Sequence, residues 1–185
     1  MPTNIELKAR AGDFIALQDR AQQLSDSPAQ TILQTDTFFR TDRGRLKLRE
    51  LGPTAAQLIY YERPDQDGPK RSDYHLFETT DPEPLKSVLS RALGVRGTVR
   101  KVRTLYLVGQ TRVHLDEVEN LGQFLELEVV LGPDQSEQEG RAIAARLIAD
   151  LGIHTDDLLE GAYIDLLERN ESGQSQQHRS TDATR

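Results

Sequence analysis

The sequence predicts an α+β domain that is mainly β, with an antiparallel sheet or barrel and helices packed on its outside. Strand-like segments outnumber helical ones, and several of them follow one another directly across short polar turns. Each helical segment has a narrow apolar stripe, which is typical of a helix that lies on a sheet. The 185 residues are enough for one domain with a sizeable core.

Eight segments show the alternation and composition of β-strands. Turns rich in glycine and polar residues separate several of them, notably Asp42-Arg43-Gly44, Gly109-Gln110 and Asn120-Leu121-Gly122. We expect strands over residues 5–10, 34–41, 45–51, 57–63, 74–80, 98–108, 111–117 and 124–131.

Start signals mark the helices between these strands. Asp13 precedes one apolar stripe, and Ser136 and Glu139 have the spacing of a capping box before another. Pro82 follows Asp81 at a third start, where the N–H that proline lacks would be unpaired in any case. We therefore expect helices after Asp13, Asp81 and Ser136, and a shorter one over residues 162–168.

The chain divides into one domain, residues 1–169, and a C-terminal tail, residues 170–185. The tail reads NESGQSQQHRSTDATR, in which alanine is the only aliphatic residue. Such a segment cannot bury enough apolar surface to offset its ordering entropy. We expect it to be disordered.

Composition excludes several classes of protein. The 23 Lys and Arg residues against 30 Asp and Glu residues give a net charge of −7, so neither nucleic acid nor a membrane is expected as a partner. The absence of cysteine excludes disulfides, thiolate zinc sites and cysteine nucleophiles. The charged start and the lack of a long apolar run favour a soluble cytoplasmic protein.

Charged residues alternate with apolar ones along five strands, and residues two apart in a strand share a face. Because the amphipathic helices need an apolar sheet face to cover, the charged faces collect on the opposite side. That side is either a solvated face of an open sheet or the interior of a closed one. The polar faces comprise Asn4, Glu6 and Lys8; Arg45, Lys47 and Arg49; Lys101 and Arg103; Arg112, His114 and Asp116; Glu126 and Glu128.

A closed interior of this composition predicts a phosphate site. Many bases with a few carboxylates would be unstable if the cavity were empty, because buried like charges repel. Lys and Arg neutralise phosphates, and Glu6, Glu126 and Glu128 could hold Mg²⁺ together with substrate oxygens. The sequence lacks a glycine-rich phosphate loop, so side chains would hold a compact phosphate chain.

At these residues the sequence resembles the CYTH superfamily, also called triphosphate tunnel metalloenzymes. Residues 4–8 are similar to the N-terminal ExExK motif of that family, and the similarity continues in order along residues 4–168. It is carried by Gln34-Thr35-Asp36-Thr37-Phe38-Phe39, Leu46-Lys47-Leu48-Arg49-Glu50, Tyr61-Glu62-Arg63-Pro64, Gly68-Pro69-Lys70-Arg71-Ser72-Asp73-Tyr74, Lys101-Val102-Arg103, Arg112-Val113-His114-Leu115-Asp116-Glu117-Val118 and Phe124-Leu125-Glu126-Leu127-Glu128.

The resemblance implies an eight-stranded antiparallel closed barrel whose tunnel binds a triphosphate. It implies Glu6, Glu126 and Glu128 as ligands of Mg²⁺ or Mn²⁺, and Glu6, Lys8 and Asp116 as catalytic residues. It also implies phosphate binding by Lys8, Lys47, Arg49, Arg63, Lys101, Arg103 and Arg112.

The motif departs from the family at its first residue, where Asn4 replaces a glutamate. An amide oxygen can bind a hard cation but brings no charge, so this departure predicts weaker metal binding. Arg63 also replaces a lysine that is often found there.

Three functions stay open. The stretches ERPD, GPKRSDY and HLDEVENLG look most like class IV adenylyl cyclases, which favours conversion of ATP to cyclic AMP and pyrophosphate. In a triphosphatase, water would instead attack the terminal phosphorus of tripolyphosphate, thiamine triphosphate or a nucleoside triphosphate. Asn4 is the main support for the third function, a triphosphate-binding module with little turnover. Barrel edges or helices could also pair two chains as a homodimer.

Overall fold

The computed structural model describes residues 3–182 and contains a closed barrel. Within that range eight strands form it: β1 (Thr3–Arg10), β2 (Gln30–Phe39), β3 (Arg45–Gly52), β4 (Ala55–Glu62), β5 (Lys70–Thr79), β6 (Val95–Val108), β7 (Thr111–Val118) and β8 (Gly122–Val130). Four helices accompany them: α1 (Phe14–Leu24), α2 (Pro82–Leu93), α3 (Glu137–Leu151) and α4 (Tyr163–Asp182).

Every strand pairs antiparallel with both of its neighbours. The order around the barrel is β1-β5-β4-β3-β2-β6-β7-β8, and β8 pairs with β1 to close it. The predicted fold, a mainly β antiparallel barrel with helices outside, is therefore confirmed.

The helices cover the apolar outer face of the strands, as the alternation predicts. Beneath α1 and α3, the side chains of Ile5, Leu7 and Leu127 on the outer face are almost completely buried. Gly140 brings α3 close to the sheet, because a Cβ there would lie 2.7 Å from Ile5 and 2.6 Å from Leu131. The capping box predicted from Ser136 and Glu139 is present at the start of α3.

Two of the strands, β2 and β5, begin four residues earlier than predicted. Residues 30–33 extend β2 because they pair with residues 102–105 of β6, and β5 begins at Lys70 because Glu6 of β1 pairs with it. Both extensions depend on partners that are distant in sequence, so no local pattern marks them.

The last helix is longer than predicted. It starts on the buried residues Tyr163 and Ile164 and continues through Asp182, whereas the sequence predicts an end at Glu168. The continuation lacks an apolar stripe, which is why periodicity does not mark it. The division into a domain over residues 1–169 and a disordered tail stays a prediction. Residues 183–185 lie outside the described part of the chain. Within that part, none of the helices combines the length and apolar character needed to cross a membrane.

Candidate functional site

The barrel interior contains a cavity of about 360 Å³. All eight strands contribute to its wall through residues that alternate with those of the outer face. The polar faces predicted from the sequence therefore face a closed interior and not open water. Of the predicted site residues, these line the cavity: Glu6, Lys8, Lys47, Arg49, Arg63, Lys101, Arg103, Arg112, Glu126 and Glu128.

On one side of the cavity, Asp36 of β2 holds two bases of β3. Lys47 Nζ donates to Asp36 Oδ2 at 2.8 Å, and Arg49 donates to both carboxylate oxygens at 2.8 and 2.9 Å. Burial raises the pKa of Asp36, but Arg49 and Lys47 together hold that pKa well below its usual value. We call these three residues the Asp36 cluster. Asp36 is not among the predicted site residues, although it shares a strand face with Gln34.

A second cluster lies between β6 and β7. Asp116 accepts hydrogen bonds from Lys101 Nζ at 2.9 Å, from Arg103 at 2.7 and 2.6 Å, and from the Tyr163 hydroxyl of α4 at 2.9 Å. Burial and Arg103 lower the pKa of Lys101 to about 7. We call these four residues the Asp116 cluster.

Asp116 itself is completely buried and is not part of the cavity wall. The structure places it behind Lys101 and Arg103, so it positions those two bases. Its predicted role as a catalytic residue stays a prediction.

The predicted bases Lys8 and Arg63 are also paired with carboxylates. Lys8 Nζ donates to Glu126 Oε1 at 2.8 Å and lies 3.6 Å from the centre of the Tyr163 ring. Arg63 donates to Glu6, and its other terminal nitrogen donates to the carbonyl of Gly161 at 2.7 Å.

Residues 158–163, which we call the closing segment, cross one end of the barrel. The amide of Leu159 donates to the carbonyl of Lys8 at 2.9 Å, and Lys70 Nζ donates to the carbonyl of Leu159 at 3.4 Å. Tyr163 packs inside this end against Phe38 and Phe124. Sequence analysis missed Lys70 and Tyr163, because only the tertiary structure brings the segment before α4 to the barrel.

Three potential metal ligands meet on β7 and β8. One ligand atom each of His114, Glu126 and Glu128 lies within 4.8 Å of the others. Glu6, the third metal ligand that the resemblance implies, lies across from Glu128 in the β1–β8 register and is paired with Arg63; its role as a metal ligand stays a prediction. We call His114, Glu126 and Glu128 the histidine–glutamate group. The alternation of polar and apolar residues places His114 on the polar face of β7. This is the sequence feature that could have identified it as a site residue.

The charges around this group suit a cation. Burial and the neighbouring Glu126 raise the pKa of Glu128 although Arg103 and Arg112 oppose the shift, so a cation beside its carboxylate would stabilise the charged form. Burial and Arg103 lower the pKa of His114 well below its usual value, so its ring is neutral and its nitrogens can bind a metal. His114 Nδ1 is buried and has no hydrogen-bond partner among the described residues. One imidazole and two carboxylates are a donor set that fits Mn²⁺ or Mg²⁺.

Asn4, at the departure from the family motif, is buried on the cavity wall. Its side-chain oxygen also lacks a hydrogen-bond partner within residues 3–182.

Comparison with known proteins agrees with this geometry. The sequence model described as the CYTH domain matches residues 2–163. The chain belongs to the CYTH domain family. Its CYTH domain thus extends from β1 to the start of α4.

Solved structures share this CYTH fold. A protein of Pyrococcus horikoshii is 25% identical, with a TM-score of 0.78, and the match covers 88% of this chain and 98% of that one. A candidate adenylate cyclase of Vibrio parahaemolyticus is 20% identical, with a TM-score of 0.73 and coverage of 89% and 97%. A candidate adenylyl cyclase of Hippeastrum, described as having a dominant triphosphatase activity, is 18% identical, with a TM-score of 0.60 and coverage of 88% and 91%. No curated protein matches the sequence.

Proposed function

We propose that this CYTH protein is a divalent-metal-dependent enzyme that binds an organic triphosphate in the barrel and converts ATP to cyclic AMP and pyrophosphate. One observation carries the proposal: the same cavity combines bases, a group of potential metal ligands and an apolar entrance.

The bases that line the cavity suit a phosphate chain. Lys47, Arg49 and Arg112 retain partial exposure of 13%, 14% and 39%, so each can donate to a ligand as well as to its carboxylate partner. Arginine and lysine bound to phosphate form charge-assisted hydrogen bonds, which are stronger than neutral ones.

The apolar entrance lies at the end opposite the closing segment. Along β2 the residues that face the cavity run from Phe38, which packs against Tyr163, to Ile32, six residues or about 20 Å away. Leu51 and Leu76, which also line the cavity, are 37% and 45% exposed. We call this end the apolar mouth, formed by Ile32, Leu51, Leu76 and Leu105. Inorganic tripolyphosphate has no organic group that could pack against this surface, whereas a nucleotide can place its nucleobase and ribose there.

In the proposed reaction the ribose 3′-oxygen attacks the α-phosphorus, and pyrophosphate leaves. The histidine–glutamate group would hold the metal, which would supply neutralisation of the charge that develops on the phosphate oxygens. Lys47 and Arg49 would hold the departing phosphates in line with the attack. The Asp116 cluster fixes Arg103, which in turn donates to Glu126.

Hydrolysis at the terminal phosphorus is the second candidate, and the apolar lining of the mouth favours it. Gln57 of β4 also lines the cavity, but its amide nitrogen donates to Glu78 at 3.3 Å. A nucleobase held only by apolar contact is not fixed tightly. Hydrolysis at the terminal phosphorus does not require a fixed ribose.

Phosphorus NMR of the protein with ATP and Mg²⁺, repeated with Mn²⁺ and with tripolyphosphate, separates these reactions. Growth of pyrophosphate together with a cyclic phosphodiester is the expected result. Release of orthophosphate from ATP contradicts the cyclase assignment and supports the triphosphatase, and no change in either substrate contradicts both.

Two double variants, one in the site and one control, test the metal dependence. Glu126→Ala plus Glu128→Ala is expected to abolish turnover, because it removes both carboxylates of the histidine–glutamate group. Glu117→Ala plus Glu119→Ala removes the same charge from exposed positions nearby and should leave turnover unchanged. Near-normal rates in the first variant would sink the metal-site assignment.

A further inference from the structure

The imidazole of His114 is unusually placed for a structural residue. It is 4% exposed, faces the cavity, and lies across the β7–β8 register from Glu126. Its Nδ1 atom is 3.8 Å from Glu128 Oε1, too far for a hydrogen bond. A buried polar nitrogen normally has a hydrogen-bond partner, and an exception calls for an explanation such as an ion.

The carboxylates of the group already have basic partners. Lys8 and Arg103 donate to the two oxygens of Glu126, and Arg112 Nη1 donates to Glu128 Oε2 at 3.2 Å. A cation that binds here competes with these bases for the carboxylate oxygens of Glu126 and Glu128. Among the described residues, no base competes for Nδ1 of His114. A metal that accepts nitrogen ligands therefore gains more from this site than one that requires oxygen alone.

We propose that His114 is a nitrogen ligand of the metal site, together with Glu126 and Glu128, and that the site for this reason prefers Mn²⁺ to Mg²⁺. Imidazole suits first-row transition ions, while Mg²⁺ prefers carboxylate and water oxygens. The inference deepens the proposed metal-dependent function and rests on it. It also accounts for a working site without a carboxylate at Asn4, because the imidazole supplies a third protein ligand.

The test uses untagged full-length protein without substrate, so that metal binding is measured apart from catalysis. Pulsed electron paramagnetic resonance of bound Mn²⁺ should show coupling to a ¹⁴N nucleus of the imidazole. Calorimetric titration should show Mn²⁺ binding at least about tenfold more tightly than Mg²⁺, the low end of the effect of altering a metal's protein environment.

The decisive variant is His114→Ala, with His75→Ala as its control because His75 is exposed on β5. His114→Ala should abolish the ¹⁴N coupling and the preference for Mn²⁺, and His75→Ala should change neither. Circular dichroism checks that both variants fold. If His114→Ala does not fold, the ¹⁴N coupling in the unmodified protein still decides the question.

Three results overturn the inference: bound Mn²⁺ without ¹⁴N coupling, a preference for Mn²⁺ that survives in His114→Ala, or no Mn²⁺ binding by the substrate-free protein. Failure of the proposed function looks different, because ATP would then stay unchanged in the phosphorus spectra while the Mn²⁺ signal was intact.

Discussion

The barrel contains the same arrangement twice in different surroundings. In the Asp36 cluster and in the Asp116 cluster, a Lys-x-Arg pair on one strand holds an aspartate on the next strand. The lysine and arginine beside Asp36 are 13% and 14% exposed, whereas those beside Asp116 are 2% and 3% exposed. Asp116 also accepts a hydrogen bond from Tyr163, and its arginine donates to Glu126.

One sequence pattern can therefore serve two purposes. Bases with partial exposure and a single carboxylate partner can turn to a ligand at little cost. Bases that are buried from solvent and bound to several partners fix the position of other groups. If such a base left its carboxylate partner, a buried charge would be unpaired. We therefore propose that Lys47 and Arg49 chiefly bind phosphate and that Lys101 and Arg103 chiefly position other groups.

The largest expected difference between the clusters is in stability. Asp116→Asn should lower the free energy of unfolding by about 3–5 kcal/mol, because it removes the carboxylate charge that Lys101 and Arg103 share in a buried site. Asp36→Asn should cost about 1–3 kcal/mol, because water can reach Lys47 and Arg49. Urea unfolding of both variants measures the two losses. Equal losses would contradict the distinction between the clusters.

The next effect is on catalysis. Arg49→Gln should lower kcat/KM by about 10²–10³-fold, the size seen when one donor to the developing charge is removed. Steady-state kinetics on ATP measure the change, with circular dichroism to confirm the folded fraction. Arg43→Gln is the control, because Arg43 is exposed in the turn between β2 and β3. A loss of less than tenfold in Arg49→Gln would mean that this cluster does not hold the phosphates.

The smallest effect concerns the contact that ties α4 to the Asp116 cluster. Tyr163→Phe keeps the ring next to Lys8 but removes the hydroxyl that donates to Asp116, so the free energy of unfolding should fall by about 0.5–1.5 kcal/mol. Tyr60→Phe removes a hydroxyl that donates to Glu62 near the surface and should cost less than about 0.5 kcal/mol. Urea unfolding again gives both values. A loss in Tyr163→Phe that does not exceed the loss in Tyr60→Phe would show that the hydroxyl of Tyr163 adds little to the stability of the buried cluster.

Alternation along single strands made much of the site predictable. Lys47, Arg49, Glu126 and Glu128 could be assigned to one face because side-chain direction in a strand depends only on the parity of the position. The capping residues and the apolar stripes of α1 and α3 are equally local, so they also follow from the sequence.

Partners across the barrel could not be predicted in this way. Whether Glu6 or His114 joins Glu126 and Glu128 depends on strand register and on competing bases such as Arg63, none of which a local pattern encodes. The contrast between the two Lys-x-Arg pairs has the same origin, since Tyr163 reaches only one of them and comes from the far end of the chain.

The closing segment determines the order in which the products of the proposed reaction leave the barrel. Because it covers the barrel end next to Tyr163, the substrate and both products share the apolar mouth as their route. In the proposed reaction the organic product would lie between the inorganic phosphate and the solvent, so we expect it to leave first. In steady-state terms the inorganic product, released last, competes with the substrate for the empty enzyme, whereas the organic product inhibits noncompetitively.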